Sequence, residues 1–411
     1  MPAALVEPQL AAPRSAQAPA ILEKTAPATG TAGTPEWVTP QQFFSAISYV
    51  TLKVTNGCNL KCGYCNVEAD HPSTPKMSME TFKYIADLYI PNTKLPYGGL
   101  EFHGGEPLLH SDEWYTEAVG YAQALAKKHK KTIEHPLQSN GTLLTEERQK
   151  TLLGLGIQIG FSFDGTPEIN DINRMAGSSV EKVIKRMIAQ QQDFGMILVM
   201  SRANCHRMRE IMDYFQKLGV RSFRVNPMQP QGWGMESDLL SDKEIFAGMK
   251  DVFDHMAETD ASVIEADTMQ AVHRMVEGRL TTSIPLSCWE LECQAGRSYC
   301  AISHKGEVFA CGTDMSKHRL GSIYENFNLE NIRSVRQRLH QKDAWYVRCF
   351  GCEAKRICHF SCPTSDFNDI RYREGACSYT KMMYRYMAEN FDKVEKIQRG
   401  VKKKMKGPSY R

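Results

Sequence analysis

The chain has 411 residues, of which 42% are hydrophobic and 24% are charged. These are values of a globular protein, and the length suits one large domain with a smaller one. No apolar run approaches the ~18–20 residues that cross a bilayer, and the N-terminus lacks a signal-peptide core, which indicates a cytoplasmic protein without a membrane partner. Fifty basic and 47 acidic residues give a net charge of +3. This balance argues against a nucleic-acid partner.

Residues 1–40 are rich in Ala, Pro, Thr and Gly, and they are predicted to form a disordered arm, too short for a folded peptide-binding domain. From 41 to 265, strand-like and amphipathic helical runs alternate, with helix starts at Ser78 and Thr145 and capping boxes at Ser178 and Ser241. Six βα units predict an α/β fold, an open, partial TIM-like (β/α)6 barrel with its active site at the carboxyl ends of the strands. The predicted strands cover 47–55, 100–103, 133–139, 157–163, 196–201 and 222–226.

The strand–helix alternation stops after the barrel. Residues 266–287 are predicted to be a linker, and residues 288–385 a small cysteine-rich domain whose core depends on bound metal. Nine of the 13 cysteines lie in 288–377, and in a cytosolic chain such clusters indicate metal or catalysis rather than disulfides. Residues 386–411 are predicted to be a helical tail, and it is basic.

The first cysteine group, Cys58, Cys62 and Cys65, directly follows the first barrel strand. Three thiolates on one loop can bind a [4Fe–4S] cluster and leave one iron open, whereas a structural zinc site would take four ligands. The spacing alone leaves zinc or unrelated thiols open. With Tyr64 before the last cysteine, the motif resembles that of the radical S-adenosylmethionine (radical SAM) enzymes. The resemblance implies that S-adenosylmethionine binds the open iron and that its reductive cleavage releases a 5′-deoxyadenosyl radical, which abstracts a substrate hydrogen.

Other strand ends also resemble the cofactor pocket of this family. A Gly-Gly-Glu-Pro turn after the second strand would let the backbone come close to the methionine amino group. The end of the third strand and a serine on the fourth strand resemble the groups that approach the ribose, and an arginine further on would pair with the methionine carboxylate. For Ser162 and for Arg174, ordinary capping or surface salt bridging is the alternative role. The resemblance assigns cofactor binding to Tyr64, Gly104, Gly105, Glu106, Ser139, Asn140, Ser162 and Arg174.

The second cysteine group resembles the SPASM domain, which carries two auxiliary [4Fe–4S] clusters, so that three clusters are expected in all. A four-cysteine zinc ribbon is the alternative. The family pattern gives one cluster Cys293, Cys300, Cys311 and Cys362, and the other Cys349, Cys352, Cys358 and Cys377. Two cysteines remain. Cys205 is predicted to pack in the core, and Cys288 could be a spare ligand or an acid–base thiol.

SPASM enzymes mostly modify ribosomally made peptides or proteins. The resemblance therefore implies a peptide maturase, with side-chain crosslinking as the leading reaction. The implied partners are a flavodoxin or ferredoxin as electron donor and, optionally, a separate leader-binding protein. An anaerobic sulfatase-maturase-like oxidase is the first alternative. In those oxidases, an aspartate that acts as a base directly follows the cysteine that matches Cys311. This chain has Gly312 at that position, and Asp314 lies two residues further on. A small-molecule oxidoreductase and a non-catalytic metal scaffold are further alternatives.

Overall fold

The computed structural model describes residues 36–235, 239–278, 293–313, 315, 317–339, 349, 351–358, 362 and 370–405. In chain order, the described strands β1 to β12 are Trp37–Val38, Tyr49–Thr55, Tyr97–Gly104, Thr132–Ser139, Ile157–Ser162, Gly195–Met200, Ser222–Pro227, Ile264–Glu265, Tyr299–Ser303, Glu307–Phe309, Arg319–Ser322 and Phe327–Asn328. The described helices α1 to α12 are Pro40–Phe44, Met79–Tyr89, Asp112–Lys128, Glu146–Gly154, Pro167–Asn173, Gly177–Ala189, Met208–Leu218, Asp242–Glu258, Ala266–Glu277, Leu329–Leu339, Ile370–Glu389 and Phe391–Met405. None of these helices has the length and apolar character that a membrane span requires.

The main sheet is parallel over most of its width. Its strands follow the order β11-β10-β9-β2-β3-β4-β5-β6-β7-β8, and only the β9-β10-β11 end is antiparallel. Each predicted strand overlaps one of β2 to β7. In the described part of the chain the sheet has two free edges and does not close into a barrel. The predicted α/β class and the open, partial barrel are therefore confirmed.

Strand alternation separates an apolar face from a polar one. On β2, Val50, Leu52 and Val54 belong to the apolar core, whereas Thr51 and Lys53 are buried polar residues. Because successive side chains of a strand point to opposite faces, Thr51 and Lys53 face the barrel interior. The interior of the sheet is thus lined with groups that can take part in polar chemistry.

The four helix starts predicted from the sequence follow local capping rules with one exception. Ser78, Thr145 and Ser241 cap their helices, and Ser241 forms the predicted capping box. The box predicted at Ser178 is wrong. Helix α6 begins at Gly177, whose amide donates to Asp171 Oδ1 at 2.6 Å, so that a carboxylate from the preceding helix does the capping.

The described residues at the edges of the expected segments are well tied to the rest of the chain. Strand β1 lies within the expected arm and pairs with β12, and Phe43 stacks on Phe327 at 4.3 Å. Helix α9 occupies much of the expected linker. In the expected basic tail, Ile397 and Val401 are buried. Strand β9 pairs with β2, which carries the cysteine-rich region onto the barrel sheet.

Candidate active site

The loop that carries Cys58, Cys62 and Cys65 leaves the carboxyl end of β2. All three thiols are free and partly exposed. The loop is held by backbone hydrogen bonds, from Cys58 N to Asp70 O at 3.0 Å and from Gly63 N to Asn173 O at 3.1 Å. The three thiols are therefore presented on one fixed loop at the strand ends.

Donors from the loop itself and from the end of β4 reach Cys58. Its Sγ accepts from Leu60 N at 3.4 Å and from Asn140 Nδ2 at 3.7 Å. Burial raises the pKa of Cys62 to about 11, while the nearby Arg174 guanidinium lowers it. Such N–H groups and positive charge stabilise thiolates, the form in which cysteine binds iron.

The Gly104-Gly105 turn packs against the start of the same loop. A Cβ on Gly104, where φ is +144°, would lie 2.2 Å from Thr55 O, and one on Gly105 would lie 2.2 Å from Gly57 O. Gly105 N donates to Thr55 O at 2.9 Å. The sequence predicted that this turn comes close to a ligand. In the structure the two glycines come close to the backbone at Thr55 and Gly57, and a side chain at either position would prevent this contact.

Glu106 joins the ends of β3 and β4. It is fully buried, and its carboxylate accepts from Leu108 N at 2.9 Å, from Ser139 Oγ at 2.8 Å and from Asn140 N at 2.7 Å. Asn140 also donates to Asn59 Oδ1 at 2.9 Å. The polar groups of Glu106 and Ser139 are therefore hydrogen-bonded to other groups of the protein, and Glu106 positions Asn140 beside the cysteine loop.

The remaining predicted pocket residues lie around the end of β5. Arg174 Nε is 3.2 Å from Asp164 Oδ2, and the guanidinium lies 5.4 Å from the centre of the Tyr64 ring. Tyr64 donates its hydroxyl hydrogen to the same Asp164 oxygen. Ser162 Oγ accepts from Gln138 Nε2 at 3.0 Å. The structure therefore brings Tyr64 and Arg174 together through a carboxylate.

Two features of the site were not predicted from the sequence. The ion pair between Asp164 and Arg174 depends on the fold. The loop after β7 also covers the cysteine loop: Trp233 N donates to Cys65 O at 3.0 Å, and a Cβ on Gly232 would lie 2.4 Å from that oxygen. The glycines at 232 and 234 were the signal that could have revealed this contact.

The cysteines of the second group are spread over the region that β9 attaches to the sheet. Cys300 lies buried on β9, and Cys311 lies buried just after β10. Burial raises the pKa of Cys311, and the negative charge of the Cys362 thiolate raises it further. Cys362 is therefore close to Cys311. The other predicted ligands are partly or fully exposed: Cys293, Cys349, Cys352, Cys358 and Cys377.

Cys205 and Cys288 are the two cysteines that are assigned to no cluster. Cys205 is only 6% exposed and belongs to the apolar core, as the sequence predicted. Cys288 and Asp314 lie outside the described residues.

A comparison with protein-family models matches residues 52–215 to the radical SAM superfamily. The match begins on β2 and includes the cysteine loop, the glycine turn and the Asp164–Arg174 pair. The chain carries a radical SAM domain. Members of this family are enzymes that bind a [4Fe–4S] cluster and S-adenosylmethionine, which confirms the predicted enzyme class and cofactors.

Three relatives of this radical SAM protein have stated activities. An AdoMet-dependent heme synthase of Nitratidesulfovibrio vulgaris is 24% identical over 354 residues, 80% of this chain and 92% of the relative. A serine-type anaerobic sulfatase-maturating enzyme of Klebsiella aerogenes is 24% identical and covers 74% of this chain and 77% of the relative. The subtilosin biosynthesis protein AlbA of Bacillus subtilis is 26% identical, with 81% and 71% covered. The relatives thus act on different kinds of substrate.

A solved structure shares the fold. AnSMEcpe with bound AdoMet and the Cp18Cys peptide superimposes with a TM-score of 0.64 at 19% identity, covering 84% of this chain and 99% of the other. The superimposed part of the chain is longer than residues 52–215, which match the radical SAM model.

The donor set of the cysteine loop fits a cluster. In the described ranges, no three His, Cys, Asp or Glu side chains converge on a single metal ion. A [4Fe–4S] cluster makes a different demand, because each thiolate binds its own iron. Three partly exposed thiols on one loop, with N–H donors to Cys58, meet that demand. Arg174 and Tyr64 lie on the side of Cys62, where a bound S-adenosylmethionine would need a cation for its carboxylate.

Replacing Gly105 with alanine tests the packing of the glycine turn. We expect the added methyl group to push Gly57 away, and therefore to lower both the iron content of the first cluster and the affinity for S-adenosylmethionine. Gly120→Ala is the matched control, because a Cβ there meets no atom within 4 Å and alanine stabilises a helix by about 0.5–1 kcal/mol relative to glycine. Iron analysis and equilibrium binding measure the two effects; a Gly105→Ala protein with wild-type values for both would show that the turn tolerates a side chain.

Proposed function

We propose that this radical SAM enzyme is a peptide maturase, which removes hydrogen from a ribosomally made peptide and closes a side-chain crosslink. The observation that carries the proposal is the tie between the cysteine loop and the neighbouring strand ends. Glu106 and Asn140 connect β3 and β4 to Cys58. A single rigid site therefore combines the thiol ligands with the groups that face the cofactor.

Cys58, Cys62 and Cys65 would hold the first cluster. When bound, the cluster and S-adenosylmethionine supply a 5′-deoxyadenosyl radical that abstracts a hydrogen atom. The residues of the chain orient the cofactor. Arg174 pairs with its carboxylate, and Asp164 keeps the guanidinium in place because it is buried and bonded to Tyr64 and to Val199 N. Ser162, Gly104 and Gly105 would border the ribose and the methionine.

The second cysteine group would hold two auxiliary clusters. Cys293, Cys300, Cys311 and Cys362 form one proposed ligand set, and Cys349, Cys352, Cys358 and Cys377 the other. The charge of Cys362 acts on Cys311, which supports their membership of one set. Clusters held by these two ligand sets would supply an acceptor for the electron that remains after hydrogen abstraction. A flavodoxin or ferredoxin would supply the electron that starts the reaction.

A peptide or protein substrate has support from several relatives. One matures sulfatases and another takes part in bacteriocin biosynthesis, and the solved structure with the same fold holds a peptide. Recognition by a separate leader-binding protein is compatible with this reading. The heme synthase supports a second candidate, a small-molecule oxidoreductase.

Anaerobic reconstitution tests the function directly. The protein is incubated with S-adenosylmethionine and dithionite, and 5′-deoxyadenosine is measured with and without short peptides encoded beside its gene. A maturase should form 5′-deoxyadenosine and change the mass of one peptide. Cofactor cleavage without any modified peptide, together with turnover of a porphyrin, would favour the small-molecule candidate instead.

The product separates crosslinking from side-chain oxidation, since both remove two hydrogens and give the same mass loss of ~2 Da. A ring closed between side chains suppresses fragment ions from the residues that it encloses, because one backbone cut no longer separates the pieces. We expect ring-type fragmentation and no reaction with a hydrazine, since Gly312 lacks the carboxylate that the oxidising relatives use as a base. A hydrazone with an unbroken fragment series would mean that the enzyme oxidises a side chain.

A further inference from the structure

The barrel interior holds a chain of hydrogen bonds that the proposed cofactor site does not use. Tyr299 on β9 donates its hydroxyl hydrogen to Thr51 Oγ1 at 2.9 Å, and Thr51 donates its own to Glu101 Oε2 at 2.5 Å. The three residues lie on neighbouring strands, with Thr51 level with Glu101 in the β2–β3 register. The hydroxyl hydrogens of Tyr299 and Thr51 are therefore both donated in the direction of Glu101.

The Tyr299 end of the chain lies between the two cysteine groups. A Cβ on Gly312, the residue after Cys311, would lie 3.2 Å from Tyr299 Oη and 3.3 Å from Lys53 Cε. The thiols of Cys311 and Cys65 both raise the pKa of Lys53 against the larger lowering by burial, so Lys53 is near both groups. A substrate that reaches both cysteine groups would pass beside Tyr299.

The Glu101 end opens on a cavity of about 610 Å³. Its lining includes Gly156 and Phe194, which directly precede β5 and β6. The cavity is thus at the amino ends of these strands, opposite the cysteine loop. The chain of hydrogen bonds leads from the substrate side of the interior toward this second opening.

Glu101 is suited to accept a proton. Burial raises the pKa of its carboxyl group, and the Thr51 hydroxyl and the Lys53 charge lower it by smaller amounts. Besides Lys53, the titratable group of β2 near Glu101 is Tyr49, whose pKa burial raises and the Glu101 charge raises further. Because burial has the larger effect, this carboxylate binds a proton more readily than a solvent-exposed one.

We propose that Tyr299, Thr51 and Glu101 form a proton relay, which carries the proton lost by the peptide during its oxidation through the barrel to Glu101 and the cavity beyond. The inference rests on the proposed function, because it assumes that a peptide loses two hydrogens. It adds the route by which the second hydrogen leaves, as a proton.

The relay balances without charging its hydroxyl groups. The first hydrogen leaves the peptide as an atom, taken by the 5′-deoxyadenosyl radical, and the electron that remains passes to an auxiliary iron–sulfur cluster. The proton binds Tyr299 Oη, the proton already on Tyr299 moves to Thr51, and that of Thr51 moves to Glu101. One O–H bond forms and one breaks at each hydroxyl. Only Glu101 changes charge, from carboxylate to carboxylic acid.

Infrared spectroscopy of the reconstituted protein tests the acceptor without any substrate. The wild type should show a protonated-carboxyl band that disappears in Glu101→Gln and loses intensity as the pH rises. In Thr51→Val the titration midpoint should move to higher pH, because the carboxylate loses its hydroxyl donor; in Thr51→Ser it should stay near that of the wild type. If no band that depends on Glu101 titrates, Glu101 is not the acceptor and the relay is wrong.

The second arm uses the peptide identified by its mass change. Thr51→Val should still form 5′-deoxyadenosine, because this step precedes proton loss, but should lower the yield of oxidised peptide per deoxyadenosine at least about tenfold, and Thr51→Ser should restore it. An unchanged yield in Thr51→Val would overturn the relay and leave the maturase function standing. If the wild-type protein forms no 5′-deoxyadenosine, the maturase function is wrong. The infrared measurement would then still show whether Glu101 is the proton acceptor.

Discussion

Replacing Cys58, Cys62 and Cys65 together with alanine is expected to abolish S-adenosylmethionine cleavage and to remove about four irons from about twelve. The three thiols are the proposed ligands of the first cluster, and alanine offers iron no ligand. The proposed auxiliary ligands belong to other segments, so their clusters should remain. Iron and sulfide analysis of anaerobically reconstituted protein, with chromatographic detection of 5′-deoxyadenosine, measures both effects.

Cys205→Ala is the control for this triple variant. Cys205 lies in the apolar core, so its loss should leave iron content and cofactor cleavage near the wild-type values. If the triple variant keeps its cleavage activity, the radical site is elsewhere in the chain. If it loses all of its iron, the two cysteine groups do not fold or bind metal independently.

The sequence predicted the barrel because its signals are local. The alternation on β2, with Val50 and Leu52 on one face and Thr51 on the other, requires only a period of two. The cap at Ser241 requires only a glutamate three residues later. The same rule failed at Ser178, because Asp171 from the preceding helix reaches the Gly177 amide. A competing donor–acceptor pair across a turn is not visible in the spacing.

The cysteine groups were also predictable, whereas the contacts that hold the pocket were not. Motif spacing identifies Cys58 and Gly105 as candidates, but it does not say that Gly105 packs on Gly57. The pairing of Arg174 with Asp164 likewise depends on where β5 and α5 end. The first contact joins segments that follow two neighbouring strands, and the second joins the end of a strand to the end of a helix. Neither distance is contained in the motif spacing.

Glu106→Gln is expected to weaken S-adenosylmethionine binding and to destabilise the protein by about 1–3 kcal/mol. The Glu106 carboxylate accepts three hydrogen bonds with two oxygens: Oε1 accepts from Leu108 N and Ser139 Oγ, and Oε2 accepts from Asn140 N. Glutamine has one oxygen and one amide nitrogen. Whichever way the amide turns, its N–H₂ group faces a donor, and a buried polar group is left without a partner.

The effect should reach the cysteine loop as well, because Asn140 also bonds to Asn59 and Cys58. Denaturant unfolding under anaerobic conditions and equilibrium binding of S-adenosylmethionine provide the measurements. Glu117→Gln is the matched control: its ion pair with Lys83 is at the surface, with the two side chains 56% and 37% exposed, and such pairs contribute about 0–1 kcal/mol. Equal losses in the two variants would mean that Glu106 does not position the pocket, since then burial and three hydrogen bonds would carry no more weight than a surface charge.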